Sequence, residues 1–163
     1  MNPWLLLPLA SGLACLALAI LLLLRQPGGA THRCAAALLL GGAFWGICEA
    51  LWTLAPDAET ALWLVRLSTP GWVFAGPLAL QLFIAQAPHA PRPLRRALPL
   101  AWAGALVALA LAWTTPWLHR GVEPVAWGWA YQVGPAFGAW YALSFVAASG
   151  GLAAALAGLH GAP

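Results

Sequence analysis

The chain has 163 residues, of which 63% are hydrophobic and 7% charged, with a mean hydropathy of +0.82. A soluble domain carries charge on about a quarter of its residues, so a water-exposed globular fold is excluded. No hydrophilic run is long enough to fold separately, and residues 1–163 are expected to form one domain. The net charge of +3 comes from seven Arg and no Lys, five of the Arg lying in two short gaps beside apolar stretches. That placement points to phospholipid headgroups and away from nucleic acid.

Five apolar stretches dominate the chain, at residues 3–24, 34–54, 67–87, 97–113 and 137–159. Each is about 17 to 23 residues long, which at about 1.5 Å per helical residue matches a hydrocarbon core about 30 Å thick. The first ends in Arg25-Gln26-Pro27-Gly28-Gly29, where a proline cannot continue a helix and glycines accept a turn. A cleaved signal peptide fits it poorly, because it has no basic leader and its apolar run exceeds the usual length of about 7 to 15 residues. The second stretch closes at Pro56-Asp57, with Asp57 expected to cap the next helix. The third contains Pro70, Gly71 and Pro77, so a bent helix is expected there. Pro88, Pro91 and Pro93 stiffen the gap before Arg95-Arg96 and the fourth stretch. The fourth gap, residues 114–136, is the longest at 23 residues and carries Trp117, Trp127, Trp129 and Tyr131. Its aromatic rings argue for an ordered loop folded back over the bundle, because extended chain would leave them in water.

Arginine sets the expected orientation. Gaps one and three hold Arg25, Arg33, Arg92, Arg95 and Arg96, whereas gaps two and four hold only Arg120. The positive-inside rule then places gaps one and three in the cytoplasm, the N-terminus outside and Pro163 inside. The expected fold is an all-α polytopic bundle of five transmembrane helices.

Two ionisable residues interrupt the apolar pattern. Glu49 lies late in the second stretch and Arg66 about nine residues after the Asp57 turn, so consecutive antiparallel helices bring them to similar depth. One reading is an ion pair inside the bundle that a ligand could remake. The other has Arg66 snorkelling to headgroups and Glu49 hydrated at the interface. Trp4, Trp52, Trp63, Trp113 and Trp117 fall near outer helix ends and read as an interfacial belt. Trp127, Trp129 and Tyr131 sit in mid-loop, where they are candidates to face a shallow pocket for an apolar or aromatic ligand. Gly42 and Gly46 form a GxxxG motif suited to close helix contact.

Several chemistries lack their residues. Without lysine there is no Schiff base for retinal. His32, His89, His119 and His160 lie outside the apolar cores, which leaves no internal pair for a haem. Cys15, Cys34 and Cys48 are too widely spaced for a zinc motif or a disulfide framework. The acids Glu49, Asp57, Glu59 and Glu123 offer no credible Ser-His-Asp set, and no phosphate-binding glycine loop is present. No catalytic residue, metal site or cofactor is expected.

Phe44-Trp45 followed by Glu49, the short acidic turn, the run Leu62-Trp63-Leu64-Val65-Arg66-Leu67, and Gly128-Trp129-Ala130-Tyr131 with Gly134-Pro135 together resemble a known family. It is the N-terminal seven-transmembrane region found ahead of bacterial sensor histidine kinases and, in some proteins, of cyclic-dinucleotide signalling domains. The likeness covers the first five of that family's seven helices. It implies an outward N-terminus and a sensory module without catalysis of its own, served by a kinase or cyclase output beyond Pro163. Expected partners are the lipid bilayer, a cytoplasmic output domain or partner, and a second copy in a homodimer. The alternative is a small non-catalytic subunit of a transporter or other membrane complex.

Overall fold

The computed structural model describes residues 3–25, 29–87 and 91–160. The expected turn at Pro27 and Gly28, the stiffening at Pro88, and the cytoplasmic end at Pro163 lie outside the described residues. A 3-10 turn at Pro3–Leu5 leads into α1 (Leu6–Arg25), followed by α2 (Ala30–Thr53), α3 (Ala58–Val73), α4 (Ala75–Gln86) and α5 (Arg92–Thr114). Strands β1 (His119–Val125) and β2 (Gly128–Val133) come next, and α6 (Phe137–His160) closes the order. Among the described residues five segments are long and apolar enough to cross a membrane: α1, α2, the α3 and α4 pair, α5 and α6. The five-helix membrane bundle expected from hydropathy is the observed architecture.

The third span is the most buried of the five, and it is broken. Pro70 is carried inside α3, and the chain leaves helix only at Phe74, three residues before Pro77. Pro77 has no N–H to give the Val73 carbonyl, and its ring crowds that carbonyl, so the ladder is interrupted one turn upstream of the proline. The start of α3 follows its cap: Asp57 accepts the Thr60 amide at 2.8 Å and the Thr60 hydroxyl at 3.2 Å. Those bonds hold the Asp57 carboxyl below its ordinary pKa.

Helices approach through small residues, since lipid supplies no hydrophobic drive between them. A side chain at Gly46 would sit 2.8 Å from the Pro8 carbonyl, so α1 and α2 cross at that point of the GxxxG motif. Gly41 and Gly71 do the same for α2 and α3, where a side chain at Gly71 would lie 2.5 Å from the Gly41 carbonyl. In α4, Gly76 lies against Ser144 of α6. A cluster of Val73, Ala105, Ala108, Ala112, Leu118 and Trp140 forms the buried core, and Gln81 of α4 accepts a bond from the Trp102 indole of α5 at 3.2 Å.

The bundle is helical as expected, and the fourth gap, expected as a folded-back loop, is a two-stranded antiparallel hairpin, with Val122 opposite Tyr131 and Pro124 opposite Trp129. It is ordered and docked, as its aromatic content foretells, through the Trp129 indole, which donates to the Ala55 carbonyl at 2.9 Å. Gly128 follows the turn with φ +132, and a side chain there would strike the Thr53 carbonyl, so close approach and left-handed backbone both call for glycine. Arg120 is the extra residue of a bulge in β1 between His119 and Gly121. Short strands carrying Gly, Pro and charge have little strand propensity of their own. Docking on α2 and α3 supplies the order.

Candidate functional site

Beneath the hairpin the bundle carries a half-open cavity of about 710 Å³, a size usual for small-molecule sites. Its roof comes from His119 of β1 and Tyr131 of β2, its back wall from α3 and α4, and its sides from Trp45 and Trp52 of α2 and Trp140 and Ser144 of α6. The break in the third span contributes directly, because Trp72 on one side of Phe74 and Ala75 and Gly76 on the other all line the space.

An aromatic cluster forms the upper half. The His119 ring meets Trp72 edge-on at 5.7 Å and Tyr131 at 5.6 Å, and Phe137 lies 5.4 Å from Trp72 and 5.9 Å from Tyr131. Trp52 meets Tyr131 at 6.1 Å in a T-shaped pair. Such contacts are worth about 0.5–1.5 kcal/mol each beyond burial, and they tie the hairpin to α2, α3 and α6.

Several polar atoms in this apolar setting have no partner. Both ring nitrogens of His119, the Trp140 indole nitrogen and the Ser144 hydroxyl are buried without a hydrogen bond, and all three residues line the cavity. His119 is 2% exposed and Trp140 9%. Ser68, also on the wall, is satisfied by the Val65 carbonyl of its own helix at 2.6 Å. A buried group left unsatisfied costs about 1–3 kcal/mol. A ligand bearing donors and acceptors would relieve that cost. Burial, with the Arg66 charge as a second cause, pushes the His119 pKa from 6.5 down to about 4, so the imidazole is neutral at physiological pH and offers one donor and one acceptor. Burial also raises the Tyr131 hydroxyl, aided by the charges of Glu49 and Tyr141.

The candidate residues fall into three places. Tyr131 lines the cavity. Trp129 anchors the hairpin at Ala55, and Trp127 sits half-buried in the turn between the strands, so neither is a wall residue. Glu49 and Arg66 are half-buried, and no ion pair joins them among the described residues. Each acts on a different ring of the roof, Arg66 on His119 and Glu49 on Tyr131. The Arg66 Nε is itself buried and unpartnered.

Trp52 is not a belt residue. It is 3% exposed and packed under the hairpin, whereas Trp4, Trp63, Trp113 and Trp117 are exposed as a belt requires. Sequence reading also passes over His119, whose position in a loop signals nothing until the loop folds inward. The run Phe137, Trp140, Tyr141, Ser144, Phe145 and Ala148 was the available signal: its spacing marks one helical face carrying both rings and a hydroxyl.

Residues 7–162 match the family described as the N-terminal 7TM region of histidine kinase. The chain belongs to this family. No curated protein and no solved structure matches it. As a histidine-kinase 7TM region it is a multi-pass membrane protein and a sensory module of signal transduction, associated with the bilayer. The described residues supply five spans where the family description counts seven.

Proposed function

We propose that this 7TM-region chain is a receptor module that binds a small molecule in the cavity beneath the hairpin and has no catalysis of its own. The observation that carries the reading is a cavity of about 710 Å³ whose wall holds the unpartnered His119, Trp140 and Ser144. Tyr131 and His119 contact the ligand. Trp129, with Trp127 at the turn, holds the roof in place, and Glu49 and Arg66 set the electrostatics of the two roof rings. Residues 1–163 act as one sensory domain of a bacterial cytoplasmic membrane. The hairpin faces outward and the arginine-rich end faces the cytoplasm, supported by the five Arg in gaps one and three. Occupancy shifts α2, α3 and α6 against one another, and the change reaches a cytoplasmic kinase or cyclase output. A homodimer is the expected working unit.

Thermal melting in nanodiscs tests the site. Fractions of conditioned medium and of membrane extract are added to the wild type and to a His119→Phe, Trp140→Phe double variant. A ligand at a hundred times its Kd stabilises by about 2.7 kcal/mol, so at least one fraction should raise the wild-type Tm by several degrees and leave the variant unmoved. No shift from any fraction, or equal shifts in both proteins, would overturn the reading.

A further inference from the structure

The cavity is a slot. Along α2 its lining runs from Trp52 to Leu38, fourteen residues apart and therefore about 21 Å at about 1.5 Å per residue. Along α6 it runs from Phe137 to Ala148, about 16 Å by the same rise. Polarity changes along that length. The hairpin end holds His119, Tyr131 and Trp140, Ser144 lies part-way down α6, and the deep end beyond it is walled by Leu38, Gly42, Ala79 and Ala148 and offers no side-chain donor or acceptor. Small residues at Gly42, Ala79 and Ala148 leave width for a chain of methylenes.

Among the described residues the slot also has an open side. α4 packs against both α2 and α6 and so lies between them. Lining residues on the two flanking helices are exposed on the outside of the bundle: Trp45 is 40% exposed, Tyr141 64% and Phe145 68%.

We propose that the ligand is a single-chain amphiphile with an uncharged hydrogen-bonding head, such as a hydroxyl, ester or amide, entering sideways from the membrane between α2 and α6. Its head bonds to His119 and Trp140, Ser144 takes a second polar atom where head and chain meet, and its alkyl chain runs on along Leu38, Gly42, Ala79 and Ala148. This rests on the proposed receptor function and names the class of molecule it receives. The neutral state of His119 and the nearby Arg66 and Glu49 charges, one of each sign, favour an uncharged head over an ionic one. A lipid of the cell's own bilayer and a diffusible signal from outside share this chemistry.

The test uses the full chain in phosphatidylcholine nanodiscs and a hexadecanol carrying a diazirine in mid-chain. After irradiation, mass spectrometry should place the adducts on peptides containing residues 38–45 and 141–148, and unlabelled hexadecanol should compete them away. Ala148→Phe and Ala79→Phe, which fill the deep end, should each cut labelling about tenfold, a binding change of about 1.4 kcal/mol. Wild type should also prefer the alcohol about tenfold over a diazirine hexadecane, and His119→Phe with Ser144→Ala should abolish that preference while the protein still elutes as a folded species. Organic extracts of the protein purified from cells separate the two sources. A neutral single-chain lipid present at about one per chain identifies a resident of the bilayer, and its absence beside positive probe labelling identifies an external signal. Either result supports the proposal.

Labelling spread equally over lipid-facing residues such as Leu106 and Val107, and unchanged in the filled variants, would overturn it. So would spontaneous cross-linking of a cysteine placed at Phe145 between two chains, which would give the slot to a second copy. A water-soluble fraction that shifts the wild-type Tm but not the His119→Phe, Trp140→Phe variant, with no hexadecanol labelling, would leave the receptor reading standing and remove the amphiphile.

Discussion

His119 concentrates the energetic cost of the site in one side chain. Its ring is 2% exposed, has no hydrogen-bond partner, and keeps its proton off down to about pH 4. In an unfolded chain the same imidazole is protonated below its ordinary value near 6.5. Because the folded pKa is the lower one, the neutral ring contributes stability fully above about pH 6.5, and that stability is lost as the pH falls through about 4. Thermal melting in detergent should therefore be flat above pH 6.5 and decline between 6.5 and 4, by up to about 1.4 kcal/mol per pH unit. His119→Phe should flatten that window, and an unchanged decline in the variant would assign it to other groups. Gly128 is the second residue whose identity is dictated by contact. With φ +132 and the Thr53 carbonyl where a side chain would go, Gly128→Ala should cost about 1–3 kcal/mol and speed amide exchange throughout residues 119–133. Exchange at the wild-type rate would show that the backbone tolerates the change.

At the scale of elements, the hairpin and the broken third span are the parts that make a cavity from a bundle. The hairpin is held by the Trp129 to Ala55 bond, by the ring contacts of Tyr131, and at its base by the Gly134 amide, which donates to the Leu118 carbonyl at 2.8 Å. Trp129→Phe keeps an aromatic ring and removes one hydrogen bond worth about 1 kcal/mol, so hairpin amides should open roughly fivefold more often. Protection equal to wild type would mean that ring packing alone docks the hairpin. The break at Phe74 is ascribed to the missing amide of Pro77. Pro77→Ala returns a donor to the Val73 carbonyl, which should join α3 to α4 and slow exchange of amides at residues 74–78. If those amides exchange as before, the bend is imposed by the close contact of Gly71 with α2.

On the scale of the whole molecule, the arginine-rich end and the hairpin end lie at opposite ends of five spans. The site begins beneath the hairpin and runs along one side of the bundle. With Cys15, Cys34 and Cys48 replaced by Ala, a cysteine at Glu123 should react with an impermeant maleimide added to intact cells, and one at Arg92 should react only after lysis. The reverse pattern would turn the bundle over and place the hairpin in the cytoplasm.

The five spans, the Asp57 cap, the GxxxG crossing and the order of the fourth gap were legible in the sequence. Each depends on local chemistry: apolar length, one carboxylate three residues from an amide, small residues four apart, and aromatic rings that cannot stay in water. Tyr131 was singled out on the same grounds. The hairpin was not legible, because a strand such as His119–Val125, with Gly, Pro and two charges, is stable only against the α2 and α3 ends that receive it. Trp52 and Trp63 look alike along the chain, both near helix ends, and only packing decides that one is under the hairpin and the other on the outside of the bundle. Glu49 and Arg66 were matched in depth by counting residues, but rotation about the helix axes is set by neighbours, and no ion pair joins them among the described residues. Local pattern determined that this chain is a membrane bundle with an ordered cap. Which side chains meet in the cavity was decided by tertiary structure, since that depends on helix rotation, on the bend at Phe74 and on a hairpin folded inward from a distant part of the chain.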